Sequence, residues 1–332
     1  MRSLLGLLAC LAVAGLVATA DGTALRDPEE AAAVLFARLS DHERAKAAFE
    51  FDDPARLDWH FVPRERFGLA AGDLKPEAKR ALAELLGTLL SEDGLRKLDG
   101  VRALEAVLRE AEGAHRDLGA YHLSFYGTPG TGEPWSFRFE GHHLSLHVTS
   151  TSRELFATTP WFVGANPARV PDGEHEGMVL LGDEVELARE LMGSLDDTQR
   201  ASAIRAEEPP ADVLFGPDRE QLPVFRPGGL PAARMDEEQR ALLRRLVDAY
   251  VDDFRVGGGP ELSRSLAGEG LLGVHFLWMG PVDGERFYYR VQGESFLIEL
   301  DVTAPNHVHA LWRDREGDFG RDLLAEHRAS RK

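Results

Sequence analysis

The chain predicts an α+β protein built as two tandem, pseudo-symmetric repeats, each running from helices into an antiparallel β-meander. Three observations carry this expectation. Residues 135–149, WSFRFEGHHLSLHVT, alternate apolar and polar positions with the period of a strand and turn at a glycine. Further along, residues 287–301, FYYRVQGESFLIELD, align with them without a gap: Trp135 on Phe287, Arg138 on Arg290, Gly141 on Gly293, Leu146 on Ile298. Three more blocks recur in the same order, 39–45 in 195–201, 76–82 in 236–242 and 121–127 in 274–280. This period is too long for a solenoid, so two halves about a pseudo-twofold axis are expected, 21–165 and 184–327, joined by a junction at 166–183.

From the start of the chain, residues 1–20 read as a secretory signal. Arg2 precedes an apolar run, and Ala18-Thr19-Ala20 sets a cut before Asp21. That run is short for a membrane span and nothing basic follows to stop transfer, so no stable span is expected after cleavage. A lipoprotein cut at Cys10 is disfavoured, because it would leave most of the apolar run on the mature chain. The expected destination is secreted or periplasmic. Cys10 is the only cysteine, so the mature chain has no disulfide and no thiolate ligand or nucleophile. A formal charge of -18 with no basic patch excludes nucleic acid as a partner.

Residues 28–49 have helical spacing behind Asp27 as cap, with Glu29 and Glu30 in the first turn. Residues 51–73, with Pro54, Pro63 and Gly68, read as a loop. Helices are expected over 75–90, where Leu82, Leu85, Leu86 and Leu89 share a face, and over 95–111. In the second half helices are expected over 184–195 and 236–254, with a shorter one at 260–266 and a proline-rich stretch at 208–231. Residues 159–183 hold Pro160, Gly164, Pro167, Pro171, Gly173, Gly177 and Gly182, a long loop that could reach over a site between the halves. A short helix over 318–326 closes the chain, with His327 near its end.

A two-residue turn at Gly141 and His142 would set Glu140 opposite His143, Arg138 opposite Ser145 and Ser136 opposite His147. The apolar set Trp135, Phe137, Phe139, Leu144, Leu146 and Val148 then shares one face. The other face carries the chemistry.

Histidines supply the sharpest functional signal. His307 and His309 are two apart on a strand, so their side chains point the same way with Cα atoms about 6.5–7 Å apart, a spacing that suits two imidazoles on one ion. His143 and His147 share a face but stand about 13 Å apart along the strand, so either one, not both, could complete the set. Glu299, which aligns with His147, is the expected fourth ligand or general base, with Asp301 as a further acid. The ion expected is zinc or copper. His122 and His275 recur in both halves and read as hydrogen-bonded scaffold, and His142 as turn chemistry. Arg138 and Arg290 could bind a carboxylate substrate or pair with acids. No phosphate loop, dinucleotide fingerprint, nucleophile elbow or H-E-x-x-H helix is present, so no nucleotide or flavin is expected.

Residues 135–146, Phe162-Val163-Gly164-Ala165-Asn166-Pro167, 195–201 and 298–324 (IELDVTAPNHVHALWRDREGDFGRDLL) together resemble the family catalogued as domain of unknown function 3500, uncharacterised secreted proteins of bacteria and fungi. The resemblance spans residues 31–327 and implies no established reaction. It directs attention to Gly141, His142, His143, Glu299, His307, His309, Arg313, Asp314 and Asp318, with Arg313 joining the two other arginines as a substrate-binding candidate. Residues 302–305 depart from the family pattern in being a compact connection. The expected function is a zinc- or copper-dependent enzyme, hydrolytic, acting on a small molecule or peptide through a histidine-rich site between the repeats. The alternative is a non-catalytic extracytoplasmic protein binding a metal or small ligand; a cell-surface interaction module is a third reading.

Overall fold

The computed structural model describes residues 27–113, 117–217 and 227–331; the signal expected at 1–20 lies outside them. Helix α1 (Pro28–Arg38) starts at Asp27, whose carboxylate accepts from the Glu30 N–H. Ser40 then caps α2 (Asp41–Ala47) in a reciprocal box with Glu43. The single helix expected over 28–49 is therefore two helices followed by strand β1 (Ala48–Phe49). A serine three residues before a glutamate starts a new helix, even where the apolar spacing runs on.

After the loop over 50–68 come β2 (Leu69–Ala70), α3 (Pro76–Leu89), which buries Leu82, Leu85, Leu86 and Leu89, and α4 (Glu92–Glu112). The meander follows: β3 (His122–Tyr126), β4 (Trp135–Gly141), β5 (Leu144–Ser150), the short β6 (Phe156–Ala157) and β7 (Trp161–Ala165). The chain continues with α5 (Gly182–Ser194), α6 (Asp197–Ala203), β8 (Ile204–Ala206), β9 (Leu230–Pro231), α7 (Glu237–Val251) and α8 (Gly258–Ser265). It ends in β10 (His275–Met279), β11 (Tyr288–Gln292), β12 (Phe296–Ala304), β13 (His307–Asp314) and α9 (Arg321–Ser330).

All of these strands join one mixed sheet, whose main path is β1-β3-β4-β5-β7-β13-β12-β11-β10-β8. At one end β1 lies parallel to β3 and β2 antiparallel to it; at the other, β8 lies parallel to β10 and β9 antiparallel to it. The middle of the sheet is the β7–β13 pair, where a strand of the first half meets the last strand of the second. Residues 161–165, expected within a long loop, are thus a central strand. A strand covered on both faces has no need to alternate, so WFVGA between Pro160 and Pro167 carries no strand period.

The hairpin turn also differs from expectation. Gly141 pairs with Leu144, Glu140 with Ser145 and Arg138 with His147, so the turn is His142-His143. Moving the turn by one residue changes each pairing by two positions, which leaves every strand residue on its expected face. Trp135, Phe137, Phe139, Leu146 and Val148 pack with the helices in the main core. Each such side chain contributes about 1.5–3 kcal/mol when fully buried. The opposite face is roofed by the loops over 50–68 and 207–217, with a second small core of Trp59, Phe61, Phe162, Leu311 and Phe319.

On the helical side the two halves interlock. The Ser91 N–H donates to the Asp253 carbonyl and the Arg255 N–H to the Leu89 carbonyl, each at 2.9 Å. Gly94 sits against the first of these junctions: a Cβ there would stand 2.2 Å from the Asp253 carbonyl oxygen. No helix among the described residues is long and apolar enough to cross a membrane.

Candidate metal centre

His307 and His309 begin β13, and their side chains leave the sheet on the roofed face. His143 reaches them from the β4–β5 turn, where its φ of 59° carries it out of the strand path. The turn is held on both sides, the His143 N–H donating to the Phe61 carbonyl at 2.8 Å and its own carbonyl accepting from Gly164 at 2.7 Å. Gly164 leaves the space the ring occupies: a Cβ on it would lie 2.8 Å from His143 Cγ. Gly164 is also the cross-strand partner of His309, so one glycine lets histidines distant in sequence converge.

The three Nε2 atoms form a small triangle: 3.1 Å from His307 to His143, 3.0 Å from His307 to His309 and 3.3 Å from His309 to His143. These three could hold a metal ion, all ligand atoms lying within 4.8 Å of one another. The chemistry of the donors favours that use over mutual hydrogen bonding. His309 Nδ1 is 2.7 Å from Asp212 Oδ1, so it is the protonated nitrogen and the Nε2 lone pair faces the triangle. An Nε2–H can point at one neighbour only, so three imidazoles cannot satisfy three edges. Three nitrogens about 2.0–2.1 Å from a tetrahedral zinc would stand about 3.3–3.4 Å apart, close to the observed triangle.

Around the triangle, the Phe61 and Phe162 rings meet His309 edge-on at 5.0 and 5.4 Å between centroids. His142 stacks on His143 at 3.9 Å, and its Nδ1 lies 2.7 Å from Glu105 Oε2 on α4. Burial first, then His309, pushes the His307 pKa down to about 4. His143 and His309 are buried, and His307 is partly exposed.

The structure brings His143 to the pair and leaves His147 apart. His147 is wholly buried against Trp59 and Phe319, with Nδ1 3.2 Å from the Pro160 carbonyl, and burial followed by the nearby Arg138 charge holds its pKa well below the usual imidazole value. Glu299 is also fully buried. Its oxygens accept from the Tyr288 hydroxyl at 2.9 Å and the Phe215 N–H at 3.1 Å, and burial raises its pKa to about 7. Asp301 is the cross-strand partner of His309; neither of its oxygens has a hydrogen-bond partner among the described residues. Burial, with Asp212 adding repulsion, raises it to about 7.

The arginines serve the roof. Arg138 donates to the Ala55 and Asp58 carbonyls at 2.6 Å each and pairs with Glu140 at 3.4 Å, pinning the loop that carries Trp59 and Phe61. Arg313 pairs with Asp318 at 2.6 Å and donates to the Phe215 carbonyl at 2.9 Å, pinning the loop that presents Asp212. Arg290 lies over the Phe215 ring at 5.6 Å. Asp314 accepts from the Glu316 and Gly317 N–H groups in its own turn, and burial raises it to about 6. His275 Nδ1 lies 3.1 Å from the Gly273 carbonyl, and His122 stands across the strand from Glu140.

Asp212 and Glu105 escaped the sequence reading. Asp212 lies in the proline-rich stretch, where no periodicity points to a partner, and Glu105 is one of many helix glutamates. Asp212→Asn is expected to weaken metal affinity by about 10–100-fold, because the amide no longer enforces the Nδ1–H tautomer of His309; competition against a chromophoric chelator measures it. The Glu299 pKa supplies a second expectation. Its carboxylate is costly to keep ionised above pH 7, and that cost is relieved as pH falls through about 7 towards the ordinary value of 4.5. In urea titrations the stability of the native protein should therefore rise relative to Glu299→Gln between pH 8 and pH 5; a constant difference would contradict it.

Fold and site together define an α+β protein with a three-histidine cluster that could hold a metal ion. A family model described as protein of unknown function (DUF3500) matches residues 21–321, and the chain belongs to that family. No curated protein and no solved structure matches it.

Proposed function

We propose that His143, His307 and His309 hold one zinc or copper ion and that the centre performs hydrolytic chemistry on a small-molecule or peptide substrate. The observation that carries the reading is the 3.0–3.3 Å Nε2 triangle with Asp212 fixing one tautomer from behind. A bound zinc ion supplies Lewis acidity and activates water at neutral pH. The protein supplies the rest. Phe61 and Phe162 exclude water from one side of the centre, while partly exposed His307 leaves the other side approachable. Of the two acids, Asp301 is better placed than Glu299 to accept a proton, being paired across the strand with His309 and having both oxygens uncommitted.

Three protein ligands with no fourth among the described residues is the pattern of a catalytic centre; a storage or structural site closes its coordination with four. That favours the enzyme over the non-catalytic binding protein. The test is metal loading followed by a ligand challenge. Purified protein should take up one zinc per chain, and its cobalt-substituted form should change its visible spectrum when azide is added. Stoichiometric metal with no response to azide would transfer the conclusion to the binding protein, and absence of uptake would remove both metal readings.

The same proposal includes duplication of an ancestral half and export behind the amino-terminal segment. Matching parallel pairs at the two ends of the sheet, β1 with β3 and β8 with β10, support the former. Paired capping boxes at Ser40 and Asp196 support it too.

A further inference from the structure

The start of α8, on the helical side of the sheet, brings together groups that all donate hydrogen bonds. Gly257, Gly258 and Gly259 open this helix, and no side chain caps its first turn, where backbone N–H groups have no intrahelical partner. Two of the three glycines have structural reasons. Gly257, the cap, has a φ of 70°, and a Cβ on Gly259 would lie 2.3 Å from the Val251 carbonyl oxygen. Gly258 has neither. The nearest atoms to a Cβ there would be two carbons of the Trp312 ring at 3.7 Å and Thr158 Oγ1 at 3.9 Å, ordinary contact distances. The missing side chain leaves a niche, and Gly257 and Gly258 are themselves partly exposed, so the turn is reachable from solvent.

The two side chains that face this niche are unsatisfied. Thr158 and Trp312 are each 1 % exposed, and neither Thr158 Oγ1 nor Trp312 Nε1 has a hydrogen-bond partner among the described residues. An unmatched buried donor is costly, and here two such costs fall beside one helix start. The indole N–H only donates, as do the N–H groups of the turn. A water would add two protons to a place already rich in them. An anion accepts from every member of the set and is favoured by the positive end of the helix. Glu261, the acid of the first turn, is exposed, and Arg255, two residues before the cap, is an exposed cation.

We propose that the start of α8 binds a small oxyanion, a phosphate or sulfate group. One oxygen enters the niche at Gly258 and accepts from Thr158 and Trp312, while the N–H groups of the first turn hold the others. No lysine follows the glycines, so the phosphate chain of a nucleotide lacks its usual partner and a single group is the better fit. Trp312 shares β13 with His307 and His309 but packs in the main core on the opposite face, so the site does not depend on the metal reading.

Isothermal titration of the mature chain with inorganic phosphate at constant ionic strength tests the idea. One saturable site per chain is expected. Thr158→Val, which keeps the shape and removes the hydroxyl, should weaken it at least about tenfold. Gly258→Ala should abolish it, because the methyl group takes the niche; its contacts are ordinary and alanine is the better helix former, so the fold survives. Thermal melts provide the check on folding: phosphate should raise the melting temperature of native protein and leave that of Gly258→Ala unmoved. His307→Ala/His309→Ala should bind phosphate as native protein does, which separates this site from an anion captured by a metal. Phenyl phosphate binding as tightly as phosphate would identify the ligand as a group on a larger molecule, and binding of the free ion alone would restrict the site to it. No saturable binding, or native affinity in Gly258→Ala and Thr158→Val, would overturn the site.

Discussion

The His307→Ala/His309→Ala protein should contain less than about a tenth of an ion per chain when native protein, purified without a histidine tag, contains close to one. Two of the three nitrogens disappear with these residues, and a lone imidazole binds zinc or copper too weakly to survive purification. The loss has a thermodynamic counterpart. Zinc at a hundredfold excess over its dissociation constant stabilises native protein by about 2.7 kcal/mol, whereas the double variant should melt at the same temperature with and without zinc. His143→Ala should behave as the double variant does, since all three edges of the triangle are equally short. His147→Ala is the informative contrast. It should retain the ion and lose stability instead, because its ring fills the space between Trp59 and Phe319. Elemental analysis and thermal melts on the four proteins separate these outcomes, and metal retained by the double variant would refute the centre.

Asp318→Ala should cost about 3–5 kcal/mol, the expected penalty for stranding one member of a buried ion pair. Arg313 and Asp318 are both wholly inaccessible, and the carboxylate also accepts from the Asp314 N–H at 2.9 Å. Truncation removes from the interior the carboxylate that accepts from both the Arg313 Nε–H and the Asp314 N–H. Domains of this kind are stable by about 5–15 kcal/mol, so the variant loses a large share of the margin. Urea unfolding should show a lower midpoint with an unchanged slope. The pair formed by Arg331 and Glu133 is just as short, at 2.6 Å, but fully in solvent, and Glu133→Gln should leave the midpoint where it was. A second readout follows from the Arg313 bond to the Phe215 carbonyl: loosening that arginine loosens the loop carrying Asp212, so metal affinity should fall along with stability.

Face assignment was the most legible property of this sequence. Strand alternation sorted residues 135–149 correctly even though the turn was placed one residue early, because a two-position change in pairing preserves parity. The H-x-H pair was legible for the same reason. What alternation could not show is which residue from the other half would meet it. His143 and His147 sat on one face in the sequence reading, and the choice between them rests on a positive φ at His143, which lifts it out of the strand, and on the missing side chain at Gly164. Strand β7 was hidden between two prolines and lacks a period because it is covered on both sides. The break after α1 was readable in retrospect from Ser40 and Glu43. Asp212 was not, since its approach to His309 is set by the roof over 207–217 and not by any local pattern.

The β7–β13 seam gives the three-histidine cluster a property that no single half has. His143 is translated long before His307, and their rings meet only after the last strand has docked against a strand of the first half. If the cluster binds metal as proposed, capture would be an act of final inspection. A chain halted early, or one whose halves fold apart, presents either a lone imidazole or a pair, and neither is expected to retain an ion. An occupied centre would certify that the whole sheet has closed, and it would stitch that seam at the position where the two halves would otherwise begin to part.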